Sequence, residues 1–146
     1  PDSDAFARLG GALSRERAFA EAAEAYSRAI ALAGDRTASD APWELHLYRA
    51  GALEEANRWP EAKAAAEAAL ALSPDNALVL NFLGYGMLER GEDLDRAEAM
   101  VRKASALRPD DASITDSLGW AQYKRGKLGE AIATLGRAAA GDPGQW

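Results

Sequence analysis

The chain has no cysteine and only one histidine in 146 residues. Without thiols there is no disulfide scaffold, thiolate zinc site, iron–sulfur cluster or cysteine nucleophile. A single imidazole excludes multi-histidine metal sites and leaves His46 as the one candidate base of that kind. Positive charge is in the minority: 17 Lys and Arg stand against 23 Asp and Glu, a net charge of -6. That balance argues against nucleic acid, whose binding draws on clustered basic residues. No apolar run approaches the roughly 18 residues needed to cross a bilayer, so no direct membrane insertion is expected. No signal peptide is visible either. Because the sequence starts at Pro1 rather than Met, that absence carries no weight.

Strand-forming Val, Ile and Thr are scarce, whereas about a quarter of the residues are alanine. With 48% hydrophobic and 27% charged residues the chain has enough apolar surface for a core. The balance predicts an all-α protein.

Self-comparison exposes a repeat. Leu83-Gly84-Tyr85 recurs 35 residues later as Leu118-Gly119-Trp120, and Arg90-Gly91 as Arg125-Gly126. Related segments begin at Phe6 and His46. A second segment follows each copy, and its alanines align in two columns. Ala22, Ala62, Ala97 and Ala131 are spaced by 40, 35 and 34 residues, and Ala29, Ala69, Ala104 and Ala138 repeat those spacings. Pro74, Pro109 and Pro143 close three of the copies. The expected organisation is one array of four helix–turn–helix repeats at about 3–36, 43–76, 77–111 and 112–145, with an inserted loop at 37–42. Gly10, Ala50, Gly84 and Gly119 are expected where helices approach closely. Asn57, Gly91 and Gly126 are expected to end first helices, and Asp75, Asn76, Asp110 and Asp111 to cap the helices that follow. Phe6, Phe19, Tyr26, Trp59, Leu94, Val101, Leu128 and Leu135 are expected to fill the core. The segment after the last repeat offers no further amphipathic helix, so the apolar side of the last helix, with Ile132, Leu135 and Ala139, is expected to lie open. That suggests a piece of a longer array or an end that pairs with another chain.

The Leu-Gly-aromatic signature, the paired alanines and the closing proline resemble the tetratricopeptide repeat (TPR). The resemblance implies a right-handed superhelical solenoid of about eight helices, with first helices lining a concave groove. It also implies a non-catalytic scaffold or adaptor that binds a protein or peptide. Neither catalytic residues, metal ligands nor a cofactor are expected: His46 reads as a packed histidine, Glu54-Glu55 and Asp110-Asp111 as solvated or capping residues, and Gly84-x-Gly86 lacks the rest of a phosphate loop. Helical spacing places Asn81, Tyr85, Leu88 and Glu89 of the third repeat on the groove wall, with Asp116, Trp120, Tyr123 and Lys124 of the fourth and Leu47 and Glu54 of the second. Asn81 and Asp116 are expected to hydrogen-bond a ligand backbone. The aromatic side chains favour anchoring by contact, and the acidic N-terminal half favours a basic or apolar partner over an acidic one. Ala7 and Gly11 stand where the family's carboxylate clamp has Lys and Asn, so chaperone-tail binding is not carried over. Self-association through the C-terminal end, or service as an accessory domain of a larger enzyme, are the alternative readings. The third and fourth repeats also resemble later repeats of bacterial TPR proteins, many exported and some envelope lipoproteins. That resemblance alone suggests an envelope location, with the cytoplasm as the alternative.

Overall fold

The computed structural model describes residues 2–33 and 42–141. These form eight α-helices and, among the described residues, no strand. The helices are α1 (Ser3–Arg15), α2 (Phe19–Ala33), α3 (Trp43–Glu55), α4 (Trp59–Leu72), α5 (Ala77–Arg90), α6 (Leu94–Leu107), α7 (Ala112–Lys124) and α8 (Leu128–Gly141). They divide into two compact units, Pro1–Pro74 and Asp75–Trp146. The expected insertion at 37–42, apart from Pro42, and the closing Pro143 lie outside the described residues.

In each unit, consecutive helices pack as antiparallel hairpins, α1 on α2 and α3 on α4 in the first, α5 on α6 and α7 on α8 in the second. Within a unit the second helix of one hairpin also packs on the first helix of the next, α2 on α3 and α6 on α7. Both alanine columns are buried throughout. A methyl side chain is the largest that these crossings admit at close range. The glycines act in the same way. A Cβ on Gly84 would lie 2.9 Å from Val101 and 3.0 Å from the Ala97 carbonyl, and one on Gly119 would lie 2.6 Å from Leu135. At Gly10 it would meet the Tyr26 ring at 2.8 Å. The helical cost of glycine, roughly 1 kcal/mol relative to Ala, is offset by contact that a Cβ would forbid.

Larger side chains complete the interiors. Ala29, Ile30 and Leu45 form a cluster in the first unit against Phe6, Ala7 and Ala33. Val79, Leu83, Met87, Val101 and Ile114 are fully or nearly fully buried in the second. Leu128, expected in the core, is instead exposed on α8.

The hairpin turns share one geometry. Asn57, Gly91 and Gly126 all have positive φ, as their residue types suggest, and the N–H of the next residue returns to a carbonyl five residues back. In the first hairpin the same place is held by Arg17, φ 62°, with the Ala18 N–H donating to the Leu13 carbonyl at 2.8 Å. Nothing in the residue type of Arg17 marks it for that conformation. Of the expected caps, Asn76 accepts from Leu78 N and Val79 N, and Asp111 from Ile114 N. Asp75 instead pairs with Lys103 at 2.7 Å. Asp2 and Asp93 cap α1 and α6.

Candidate functional site

On α7 packing uses one stripe and leaves most of the adjacent one to solvent. That adjacent stripe carries Asp116, Trp120, Tyr123 and Lys124; Asp116 is half-buried, Tyr123 and Lys124 are exposed, and Trp120 keeps 37% of its surface open. Trp120 and Tyr123, three residues apart, stack with ring centroids 5.5 Å apart and planes 19° from parallel. Lys124 Nζ lies 5.4 Å from the Trp120 ring centroid, within cation–π range. The rings therefore brace one another at the surface, each with part of its area covered. Neither is sealed into the core to compensate for Gln122, which is itself buried with its Oε1 unpartnered.

α5 belongs to the same unit and packs beside α7. Its outward stripe presents Tyr85 and Glu89, both exposed. Leu78, seven residues before Tyr85 and thus on the same side, is exposed too and extends the apolar surface. It was not foreseen, although that spacing was its signal. Asn81 is half-buried, and its Oδ1 is covered without a hydrogen-bond partner. A covered acceptor left unpaired costs about 1–3 kcal/mol. A ligand donor would recover that if the amide turned to meet it.

Leu88 corrects the sequence reading. It is 0% exposed and cannot form part of a binding wall. It follows Gly84 by four residues, about 40° round the helix, on the shoulder nearest the packing stripe. Tyr123 holds the equivalent register on α7 and is 56% exposed. The helix position is the same, and the difference lies in what packs over it. Leu47 and Glu54 are half-buried on α3 in the first unit. The exposed aromatic there is Tyr48, whose ring lies 5.7 Å from that of Tyr26. His46 is buried, as a packed histidine should be.

A charge cluster around one buried carboxylate ties the end of α7 to α6. Glu98 of α6 is 6% exposed. It accepts from Lys127 Nζ at 3.0 and 3.1 Å and from Arg102 Nε at 2.8 Å. Arg125, in the turn after α7, reaches Asp95 at 2.6 Å and Glu98 at 3.8 Å. Burial alone would raise the Glu98 carboxyl. The hydrogen bonds and charges of Lys127 and Arg102 outweigh it and hold the carboxyl below its ordinary value. Both ends of the α7–α8 turn are thereby tied to α6. Among the described residues, no group of three or more His, Cys, Asp or Glu is placed to hold a metal ion. Nor is any described helix long and apolar enough to cross a membrane.

An all-helical array of hairpins with glycine and alanine contacts defines the class: the fold is the TPR solenoid. The chain resembles the tetratricopeptide-repeat family, and residues 87–145 match that family's model. Solved structures share the fold. MamA from Desulfovibrio magneticus RS-1 superposes with a TM-score of 0.82 at 17% identity, over 99% of this chain and 77% of that one. PilF from Pseudomonas aeruginosa gives 0.81 at 20% identity, over 97% of this chain and 61% of the other. YrrB, described as a TPR protein with an unusual peptide-binding site, gives 0.79 at 16% identity, over 97% and 69%. No curated protein matches the chain by sequence.

Proposed function

We propose that the chain is a non-catalytic protein-interaction module that binds a segment of another protein on the α5–α7 face of its second unit. The exposed Trp120–Tyr123 stack carries this reading. Two large rings held open by contact with each other and with Lys124 lose little freedom when a ligand covers them, and Trp and Tyr dominate interface energetics. Tyr85 and Leu78 widen the apolar contact. Asn81 and Asp116 supply polar contacts to the ligand backbone. Glu89 and Asp116 make the face better suited to a basic or apolar segment than to an acidic one. Leu47 and Glu54 stand outside this site. The four repeats at 3–36, 43–76, 77–111 and 112–145 form one array in this reading, with the fourth supplying the anchor. That YrrB is described as having a peptide-binding site supports the ligand class.

The test is comparative capture from a lysate of the source organism. The parent chain serves as bait beside a Tyr85→Ala/Trp120→Ala/Tyr123→Ala variant of matched helicity. The reading expects proteins held by the parent and lost from the variant. Identical captures would refute it. Loss of helicity in the variant would show that these rings support the fold.

A further inference from the structure

The acids of the second unit differ in how they are neutralised. Asp95, Glu98 and Glu130 each pair with a basic side chain. Asp116 and Glu89 have no ion-pair partner among the described residues. Both lie on the stripes that carry the exposed aromatic side chains. Asp116 stands four residues before Trp120 on α7, and Glu89 four residues after Tyr85 on α5, each on the same side of its helix as the ring.

Lys124 lacks an ion-pair partner too, and its Nζ lies 5.4 Å from the Trp120 ring centroid. It follows Trp120 by four residues, as Asp116 precedes it by four. The ring thus stands between an anion and a cation that about 12 Å of helix rise keeps apart. It already holds a cation, and that cation is the chain's own. An ammonium at an exposed site, near the outer limit of about 6 Å for a cation–π contact, is held weakly.

The face therefore lacks one cation that meets the ring and the carboxylate together. A compact ammonium serves one of them at a time. A guanidinium lies flat on a ring while its in-plane N–H groups point outward to a carboxylate. Trp120 and Asp116 offer those two partners along one side of one helix, and Glu89 adds a second unpaired anion on α5. An acidic segment would be repelled here. A purely apolar one would strip water from Asp116 and supply no partner in return.

We propose that the segment bound at the α5–α7 face presents an arginine, whose guanidinium replaces the Lys124 ammonium on Trp120 and donates to Asp116. This rests on the reading of that face as the interaction site, and narrows its ligand from a basic or apolar segment to an arginine-bearing one. Lys124 is then a resident competitor that lowers the affinity of the face for its ligand.

The test titrates the whole isotope-labelled chain with acetyl-Ala-Ala-Arg-Ala-Ala-amide, and with the same peptide carrying lysine or citrulline. The readout is the Trp120 indole N–H resonance, identified by its loss in Trp120→Phe. The arginine peptide should shift it saturably and the lysine peptide more weakly. Citrulline, planar but uncharged, should leave it in place. Lys124→Met should tighten arginine binding about two- to fivefold, the worth of an exposed cation–π contact, and Asp116→Asn should weaken it. Lys124 is exposed, so helicity should be unchanged; Lys124→Gln replaces a Met variant that loses it. Equal shifts from arginine and citrulline overturn the proposal. So does the absence of a saturable shift in both the parent and Lys124→Met, or weaker arginine binding by Lys124→Met. Excess arginine peptide added to the lysate capture separates this inference from the reading beneath it. Capture that needs the aromatic side chains but is not released by the peptide overturns the arginine alone. Capture that does not need them overturns both.

Discussion

One helix position separates the two units clearly. The residue just after the small packing residue of each first helix is Gly11 and Gly51 in the first unit, and Tyr85 and Trp120 in the second. A Cβ added to Gly51 would meet nothing within 4 Å, while Tyr85 and Trp120 are exposed. A Cβ on Gly11 would meet only the ends of Arg15 and Tyr26, at 3.6 and 3.8 Å, so this slot accommodates either no side chain or the largest ones. What distinguishes the units is what they show to solvent.

That contrast can be broken from the packing side first. Gly84 and Gly51 are both helical glycines, yet only Gly84 is needed for contact. Gly84→Ala should destabilise the second unit by about 1–3 kcal/mol, the usual cost of overpacking, because one of the atoms it meets is the Ala97 backbone carbonyl. Urea denaturation reads this directly. An unchanged midpoint would mean that the helices separate at no cost.

Glu98→Gln should cost somewhat less, about 1–2 kcal/mol, since it weakens charge-assisted hydrogen bonds whose donors are partly exposed. The acid side gives a finer signature. The carboxyl's folded value lies below its ordinary 4.5. Its contribution is therefore complete above that ordinary value and is lost as pH falls through the depressed one. The parent should lose stability across that acid window more steeply than Glu98→Gln. Parallel pH profiles would contradict the cluster's role in tying α7 to α6.

The smallest effect should have the opposite sign. Gly51→Ala should stabilise the first unit by about 0.5–1 kcal/mol, because it restores helix propensity where no neighbour objects. A lower melting temperature would show that the slot is constrained after all.

The same contrast explains what could be read in advance. The alanine columns and packing glycines are visible in the sequence because close helix crossings permit only small residues, so the geometry leaves a periodic mark. The turn at Arg17 leaves none, because its left-handed backbone is imposed by the helices it joins. Leu88 and Tyr123 share a register and differ wholly in exposure. Exposure depends on the neighbouring helix, which the spacing along one helix does not describe. Leu128 shows the same limit in reverse: the register that holds buried Trp59 in α4 is open in α8. The exposure of Tyr85, Glu89, Trp120 and Lys124 was legible because they sit on the outward stripe, where neighbours intrude least. Tyr123, by contrast, is open only because no helix packs over it as one does over Leu88.

The central claim is that the second unit's aromatic face meets the partner. The most direct measurement is photo-crosslinking in the source cells, with a benzophenone amino acid in place of Tyr123 and, separately, of Tyr48, the exposed aromatic of the first unit. An adduct with another protein is expected from position 123 and none from position 48. Adducts from position 48 alone, or from neither position, would contradict it.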